Sequence, residues 1–282
     1  MLVDLGHTVR LIPPQYVKPY VRRNKTDAAD AEAICEAVTK PNMRFVPIKT
    51  KQQQSILALH RVRSLLVRQR TATINALRRL LGEYGLITGK GIRQLAALSE
   101  RLHAADESIM PNEAREALRC LFRHIDALSE KLQDMEARII AWHQSSPDSQ
   151  RLASAPGVGP ITATAIVAAV GDGKQFKSSR HFAAWLGLTP RIKAVAVRKK
   201  FGRISKGGDP YLRTLLIHGA RAVVGTTFRN GIAPRPWLKD LVARRPTNGA
   251  ATAVAHDTAR SLWAMMTRSE EYRHHPVQLM AA

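Results

Sequence analysis

The sequence predicts a chain in three parts. An α/β remnant covers residues 1–50, a long helical coiled-coil region covers 51–145, and a mainly α domain covers 150–282, opening on a helix-hairpin-helix-like turn. Three observations carry this reading. Two short apolar stretches bracket an alanine-rich helix near the start. An unbroken apolar repeat of three and four runs through the middle. A Pro-Gly-x-Gly-Pro corner at Pro156–Pro160 introduces the last third. With 45% hydrophobic and 23% charged residues in 282, the composition is that of a globular chain with material for about two cores.

In the first region Thr8-Val9-Arg10-Leu11-Ile12 alternates like a strand, and Met43-Arg44-Phe45-Val46-Pro47 is a second candidate. A helix is expected between them from about Asp27 to Val38. Thr26 is an acceptable N-cap, Asp27 and Asp30 occupy the first turn where the macrodipole favours negative charge, and Ala28, Ala29, Ala31 and Ala33 are strong helix formers. Together these segments make a β-α-β unit. Two strands and one helix cannot cover both faces of a parallel sheet, so the region is expected to be the tail of a larger α/β domain that begins upstream of Met1. At i and i+3 the two carboxylates share one helix face. They are hard oxygen donors able to hold Mg²⁺ or Mn²⁺ against a phosphate, with Lys25 of the preceding basic stretch beside them. The same two residues also serve as ordinary helix-terminus anions.

From Lys51 to about Tyr84 the chain has no Pro and its first Gly is Gly82. Ile56, Leu59, Val62, Leu66, Ile74, Leu77 and Leu80 recur at helical spacing, and Arg61, Arg63, Arg68, Arg70, Arg78 and Arg79 fill much of the rest. Arg61 and Arg68 are candidate phosphate contacts. Arg63 and Arg70 interrupt the apolar seam and are expected to reach solvent or phosphate. A second helix carries Leu118, Leu121, Ile125, Leu128, Leu132, Met135, Ile139 and Trp142, a heptad seam spanning roughly 36 Å. An intramolecular antiparallel hairpin joined through Gly82 to Pro111 and a homo-oligomeric coiled coil both satisfy this pattern.

Ser145–Ser149 reads as a linker. At Pro156-Gly157-Val158-Gly159-Pro160 the glycines permit a tight bend, and backbone N–H groups at the start of the next helix can face a phosphate, which makes Gly157 and Gly159 candidates for backbone contact with nucleic acid. A short helix is expected to end at Gly187. A loop or hairpin follows from Arg191 to Arg203, carrying Lys193, Arg198, Lys199 and Lys200 as well. Ser205 and Lys206 then lead into a helix at Tyr211-Leu212-Arg213, with Ser205 expected as an N-cap or phosphate contact and Arg213 as a further cation. Cys35 and Cys120 form no Cys-x-x-Cys pair and are expected to be small buried hydrophobes.

Lys and Arg number 44 against 22 Asp and Glu, a formal charge of +22, far beyond the needs of solubility. The implied partner is a polyanion, with DNA the first candidate. No run of eighteen apolar residues and no signal-peptide pattern is present, so the sequence reads as that of a soluble, cytoplasmic, nucleoid-associated protein with no membrane role.

Taken in order, Lys25–Ala31, the helical middle, Pro156–Pro160, Gly187-Leu188-Thr189-Pro190-Arg191, Gly202-Arg203-Ile204-Ser205-Lys206 with Gly208-Asp209, and Tyr211–Leu216 resemble the DEDD insertion-sequence transposases, the "IS one-ten" group related to the Piv DNA invertase. The resemblance covers nearly the whole chain. It implies an RNase-H/RuvC-like domain with acidic metal ligands, a coiled coil used in assembly into a homo-oligomer, and a transposase domain supplying a serine. It also implies DNA strand exchange, in some members guided by a structured RNA from the element. Asp27 and Asp30 match the last two acidic ligands, and the other two would lie upstream of Met1. The family's serine is expected between the Gly-Leu-x-Pro-Arg and Gly-Arg-Ile-Ser-Lys motifs, and the interval Ile192–Phe201 contains none. The resemblance thus implies a transposase with impaired strand cleavage in this chain. A basic nucleic-acid-binding protein without chemistry is the alternative.

The charge argument has a direct check. Affinity for duplex DNA should fall by about a hundredfold or more between about 50 and 200 mM salt, because several Lys and Arg displace condensed counterions. Anisotropy titrations across that range measure it, and a flat profile would rule out phosphate binding as the purpose of the charge.

Overall fold

The computed structural model describes residues 2–21, 26–87, 89, 91, 94–104, 109–195, 198–230 and 236–273. Contacts divide the chain into two compact units, 1–54 and 55–282. Most described residues are helical.

The first unit contains α1 (Pro14–Val17), a 3₁₀ turn (Lys18–Tyr20) and α2 (Asp27–Thr39), which pack on one another. The helix expected from Asp27 is present and begins as expected: Thr26 Oγ1 accepts from the Ala29 amide at 3.2 Å. The two strands are not. Between those segments only an isolated antiparallel bridge forms, Leu11 with Val46, where the Val46 amide donates to the Leu11 carbonyl at 2.8 Å. A β-α-β unit requires parallel strands, so that expectation is corrected. Proline explains the failure to extend the ladder: Pro13 and Pro14 follow the first segment and Pro47 ends the second, each removing a donor. Cation–π contacts hold the unit instead, Arg10 over Phe45 at 5.1 Å and Lys40 over Tyr20 at 5.5 Å. Cys35 is exposed, contrary to expectation, because it sits across α2 from the buried Ala33 and Ala37. Cys120 is exposed too, lying off the seam of its helix.

In the second unit α3 (Lys51–Glu83) and α5 (Asn112–Ser145) are the two long helices. They run antiparallel within one chain: Arg63 pairs with Glu136, and seven residues on, Arg70 donates to Ser129 seven residues back. Ile74, Leu77 and Leu81 share a core with Leu118 and Ile125. The intramolecular hairpin, one of the two arrangements the repeat allows, is therefore the one observed. Its connection holds an element the sequence reading left as a link. Helix α4 (Leu95–Ala104) drives Leu98 and Leu102 fully into the same core. Arg63 and Arg70 do not reach out to solvent as expected. Glu136 and Ser129 stand opposite them and supply acceptors inside the hairpin, at 2.6 Å and 3.4 Å.

The expected linker at Ser145–Ser149 is instead the start of α6 (Pro147–Ala153). Ser146 caps it, accepting from the Ser149 amide at 3.3 Å, and Ser149 is fully buried with its hydroxyl 2.7 Å from His143 Nδ1. Polar content marked a cap here rather than a loop. The remaining elements are α7 (Pro160–Val170), α8 (Ser179–Trp185), the antiparallel hairpin β1 (Pro190–Val195) and β2 (Arg198–Ile204), α9 (Pro210–Asn230), α10 (Pro236–Arg244) and α11 (Thr247–Arg268). Helix α11 is the hub, packing on α6, α8, α9 and α10. Its buried Ala251, Ala255 and Ala259 step by four and let neighbours approach closely, while Leu262 and Met266 fill the wider end. Phe182, Leu152, Ile166 and Leu186 complete this core, each worth about 1.5–3 kcal/mol on burial.

The corner between α6 and α7 is pressed directly onto α9. Gly157 has φ +78°, and a Cβ there would lie 2.8 Å from the Gly219 carbonyl oxygen. A Cβ on Gly219 would lie 1.8 Å from the Gly157 oxygen. Backbone meets backbone, with no flexible side chain to yield. Gly219→Ala should therefore destabilise the protein by about 3 kcal/mol. Gly225→Ala, on the same helix with open space around it, should be neutral or stabilise by up to about 1 kcal/mol. Urea melts of the two variants test the contact, and equal midpoints would refute it.

Candidate nucleic-acid interface

Asp27 and Asp30 occupy the exposed first turn of α2, as the sequence placed them. The Asp30 amide donates to the Thr26 carbonyl at 3.0 Å, which fixes the turn that carries both carboxylates. Among the described residues no third His, Cys, Asp or Glu joins them in a group able to hold a metal ion. Lys25 lies outside the described residues.

The six arginines of α3 sort into two rows. Arg63, Arg70 and Arg78 turn inward, to Glu136, to Ser129 and to the Gly91 carbonyl at 2.6 Å. Arg61, Arg68 and Arg79 are exposed. Steps of seven and eleven residues return a helix to nearly the same azimuth, so these three share one outer face, roughly 10 Å and then roughly 16 Å apart along the axis. From Lys51 to Gly82 the helix carries no acidic residue to neutralise them. Arg61 and Arg68 were legible as candidates. Arg79 joins them only once the inward row is known.

The basic segment Arg191 to Arg203 is a hairpin, Lys193 opposite Lys200 and Val195 opposite Arg198. Arg198, Lys199 and Lys200 lie on β2, and their side chains fall outside the described residues. Its foot is tied to the exit of α8. The Ser205 amide donates to the Thr189 carbonyl at 2.8 Å and the Lys206 amide to the Gly187 carbonyl at 3.1 Å. Arg191 donates through Nε and a terminal nitrogen to the Ser205 carbonyl, at 3.3 and 3.0 Å. Arg213 donates to the carbonyls of Leu186 and Gly207, at 3.1 and 2.7 Å, so its guanidinium acts as a cation at the end of α8. Gly208, at φ +70°, brings its Cα face against the Trp185 carbonyl, where a Cβ would lie at 1.8 Å. Ser205 is not the N-cap of α9. Asp209 is, its Oδ1 accepting from the Tyr211 and Leu212 amides at 2.7 and 3.3 Å, because Pro210 supplies the first helical position. Ser205 Oγ accepts from the Gly207 amide at 3.4 Å. Arg203 and Lys206 are exposed around this foot. At the other corner Gly157 is committed to Gly219, while Gly159 is exposed at the uncapped start of α7.

Known sequences resemble this chain along nearly its whole length. A family model described as "Transposase IS116/IS110/IS902 family" matches residues 149–234, and a second, described as "Transposase", matches residues 1–85. The "Probable family 20 transposase" of Pseudomonas aeruginosa is 49% identical over 273 residues, covering 96% of this chain and 81% of that protein. The chain belongs to the IS110/IS116 transposase family. The "Transposase for insertion sequence element IS1111A" of Coxiella burnetii is 40% identical over 271 residues, 96% of this chain and 74% of that relative. The "Pilin gene-inverting protein" of Moraxella bovis is a more distant relative, 26% identical over 225 residues, 74% of this chain and 58% of its own. Among the described residues of this transposase no helix is long and apolar enough to cross a membrane.

One buried joint carries no signal in the sequence. His60, on α3, is 1% exposed, with Nδ1 3.0 Å from the Tyr211 hydroxyl on α9 and Nε2 3.0 Å from Thr164 Oγ1 on α7. Donor accounting sets the tautomer. Thr164 already donates to the Pro160 carbonyl at 2.8 Å, so it accepts from Nε2–H, and Nδ1 accepts from Tyr211. Arg63 lies beside Tyr211, where its charge acts on the hydroxyl, and pairs with Glu136. Thr164, His60 and Tyr211 thus join α7, α3 and α9 with every ring nitrogen satisfied, and the Arg63–Glu136 pair beside them ties in α5. A lone His in a run of Ile, Leu and Arg gives no signal of this; its partners are more than a hundred residues away.

Burial, and then the charge of Arg63, lower the His60 pKa from 6.5 to about 4. The unfolded chain takes up this proton near pH 6.5 and the folded chain only near 4, so stability is complete above the upper value and lost as pH falls between them. The loss attributable to His60 should total about 3 kcal/mol. Urea unfolding of wild type and His60→Gln at pH 7, 5.5 and 4.5 reads it as a gap between the two that narrows on acidification; parallel profiles would reject it.

Proposed function

We propose that this chain is the DNA-binding and strand-exchange protein of an insertion element. The observation that carries the reading is the outward cationic row Arg61, Arg68 and Arg79, set apart from arginines committed to the fold and repeated by exposed Arg203 and Lys206 at the hairpin foot. Cations with no structural duty on one face are what a phosphate backbone requires. The names of the relatives, transposases and a gene-inverting protein, support the same chemistry. A structured RNA of the element is the second nucleic-acid partner in this reading, gripped by the same backbone-directed contacts, with self-association completing the assembly.

Asp27 and Asp30 would hold the Mg²⁺ or Mn²⁺ ion, which when bound polarises a phosphate for attack. The donor type fits and the donor number does not. Two carboxylates in one exposed turn, with no third ligand among the described residues, leave most of an octahedral shell to water and phosphate. On this reading the carboxylate pair alone holds the ion loosely, so that the chain binds DNA while its strand cleavage is impaired. The alternative, binding without any chemistry, draws on the same ligand count.

The test is a supercoiled-plasmid recombination assay with the purified chain, Mg²⁺ and the element's own RNA. Little or no product is expected, with duplex binding intact, and efficient product would refute the impairment. Replacing Asp27 and Asp30 together by Asn separates the readings. Loss of any residual cleavage with unchanged affinity supports the enzyme, and a variant indistinguishable from wild type in both supports the pure binder.

A further inference from the structure

Trp185 ends α8 and is 36% exposed, although its neighbours Phe182 and Phe176 are 0% and 6% exposed. The ring is held from behind. Phe182 stacks on it at 6.0 Å and 17°, and Phe176 packs at 5.2 Å and 56°. Its backbone is clamped as well, since Gly208 abuts the Trp185 carbonyl and Arg213 takes the carbonyl of the next residue. A large aromatic surface fixed by packing and left open on the solvent side is a platform rather than a core residue.

Charge surrounds it in the chain. Lys177 and Arg180 precede it, both exposed, and the hairpin foot that closes on its backbone brings exposed Arg203 and Lys206. Cations that track a sugar-phosphate chain beside a rigid indole are the two ingredients of single-strand binding, where each base offers a π-face and no sequence is read. A duplex hides those faces inside its stack. The surface therefore fits an unpaired base.

We propose that Trp185 is a stacking platform for an unpaired base of a DNA strand held at the foot of the basic hairpin. The proposal rests on the DNA-binding reading above and adds to it the state of the strand: locally opened, as a strand must be before its bases can leave one partner for another. Trp185 acts here in binding and positioning, with no part in bond making.

The experiment compares full-length wild type, Trp185→Ala and Trp185→Phe by anisotropy, at one salt concentration, with a labelled single-stranded DNA oligonucleotide and the blunt duplex of the same sequence. Trp185→Ala should lose about tenfold in single-strand affinity and leave the duplex value unchanged, and Trp185→Phe should retain most of it. Tryptophan fluorescence of the wild type should also be quenched by the single strand and that quenching should be lost in Trp185→Phe, which leaves the other three tryptophans in place. Equal loss on both DNAs, no loss on the single strand, absence of quenching, or a Trp185 dependence confined to an RNA oligonucleotide of the same sequence would each overturn the proposal. Wild type that binds neither DNA would instead overturn the DNA-binding reading beneath it.

Discussion

A neutral imidazole packed between three helices has one donor and one acceptor to place, and failing to place either costs about 1–3 kcal/mol. His60 places both, on Thr164 and Tyr211, and so obliges α3, α7 and α9 to meet at hydrogen-bond distance. The Arg63–Glu136 pair beside this joint ties in α5. Much else in the second unit depends on this joint. It fixes the rotational setting of α3, and with it which arginines face Glu136 and Ser129 and which face outward as Arg61, Arg68 and Arg79. A partly satisfied network would be worse than an apolar one, so the accounting has to close, and it does.

The two glycine contacts impose a second kind of constraint. Gly157 against Gly219, and Gly208 against the carbonyl of Trp185, bring backbones closer than any side chain permits. The first seats the α6–α7 corner on α9. The second seats the hairpin foot on α8 and holds Trp185 at the edge of the aromatic cluster. The sequence offers Gly157 and Gly159 alike as phosphate-facing backbone. Gly157 is instead occupied in packing, whereas Gly159 at the start of α7 keeps the exposure that an anion contact needs. Arg213 likewise leaves the list of outward cations because two backbone carbonyls engage it.

The acidic pair shows how far local sequence reaches. Helix propensity, a threonine cap and macrodipole-favoured aspartates are interactions within four residues, and α2 formed where they placed it. The flanking strands rest on partners far along the chain. Prolines on both sides left only the bridge of Leu11 to Val46.

By itself the sequence determined the long helices, the heptad seam, the cap at Thr26, the basic segment after α8 and membership of a transposase family. Each of these is written in short-range periodicity or in motif spacing. Only the tertiary structure decided that α3 and α5 close on each other within one chain, that α4 plugs their connection, that His60 is a buried joint, and which arginines remain for a ligand. Most of those outcomes turn on groups far apart in the chain, as Arg63 meets Glu136 and His60 meets Tyr211. Periodicity names the face a residue occupies. Only packing names the partner it finds there.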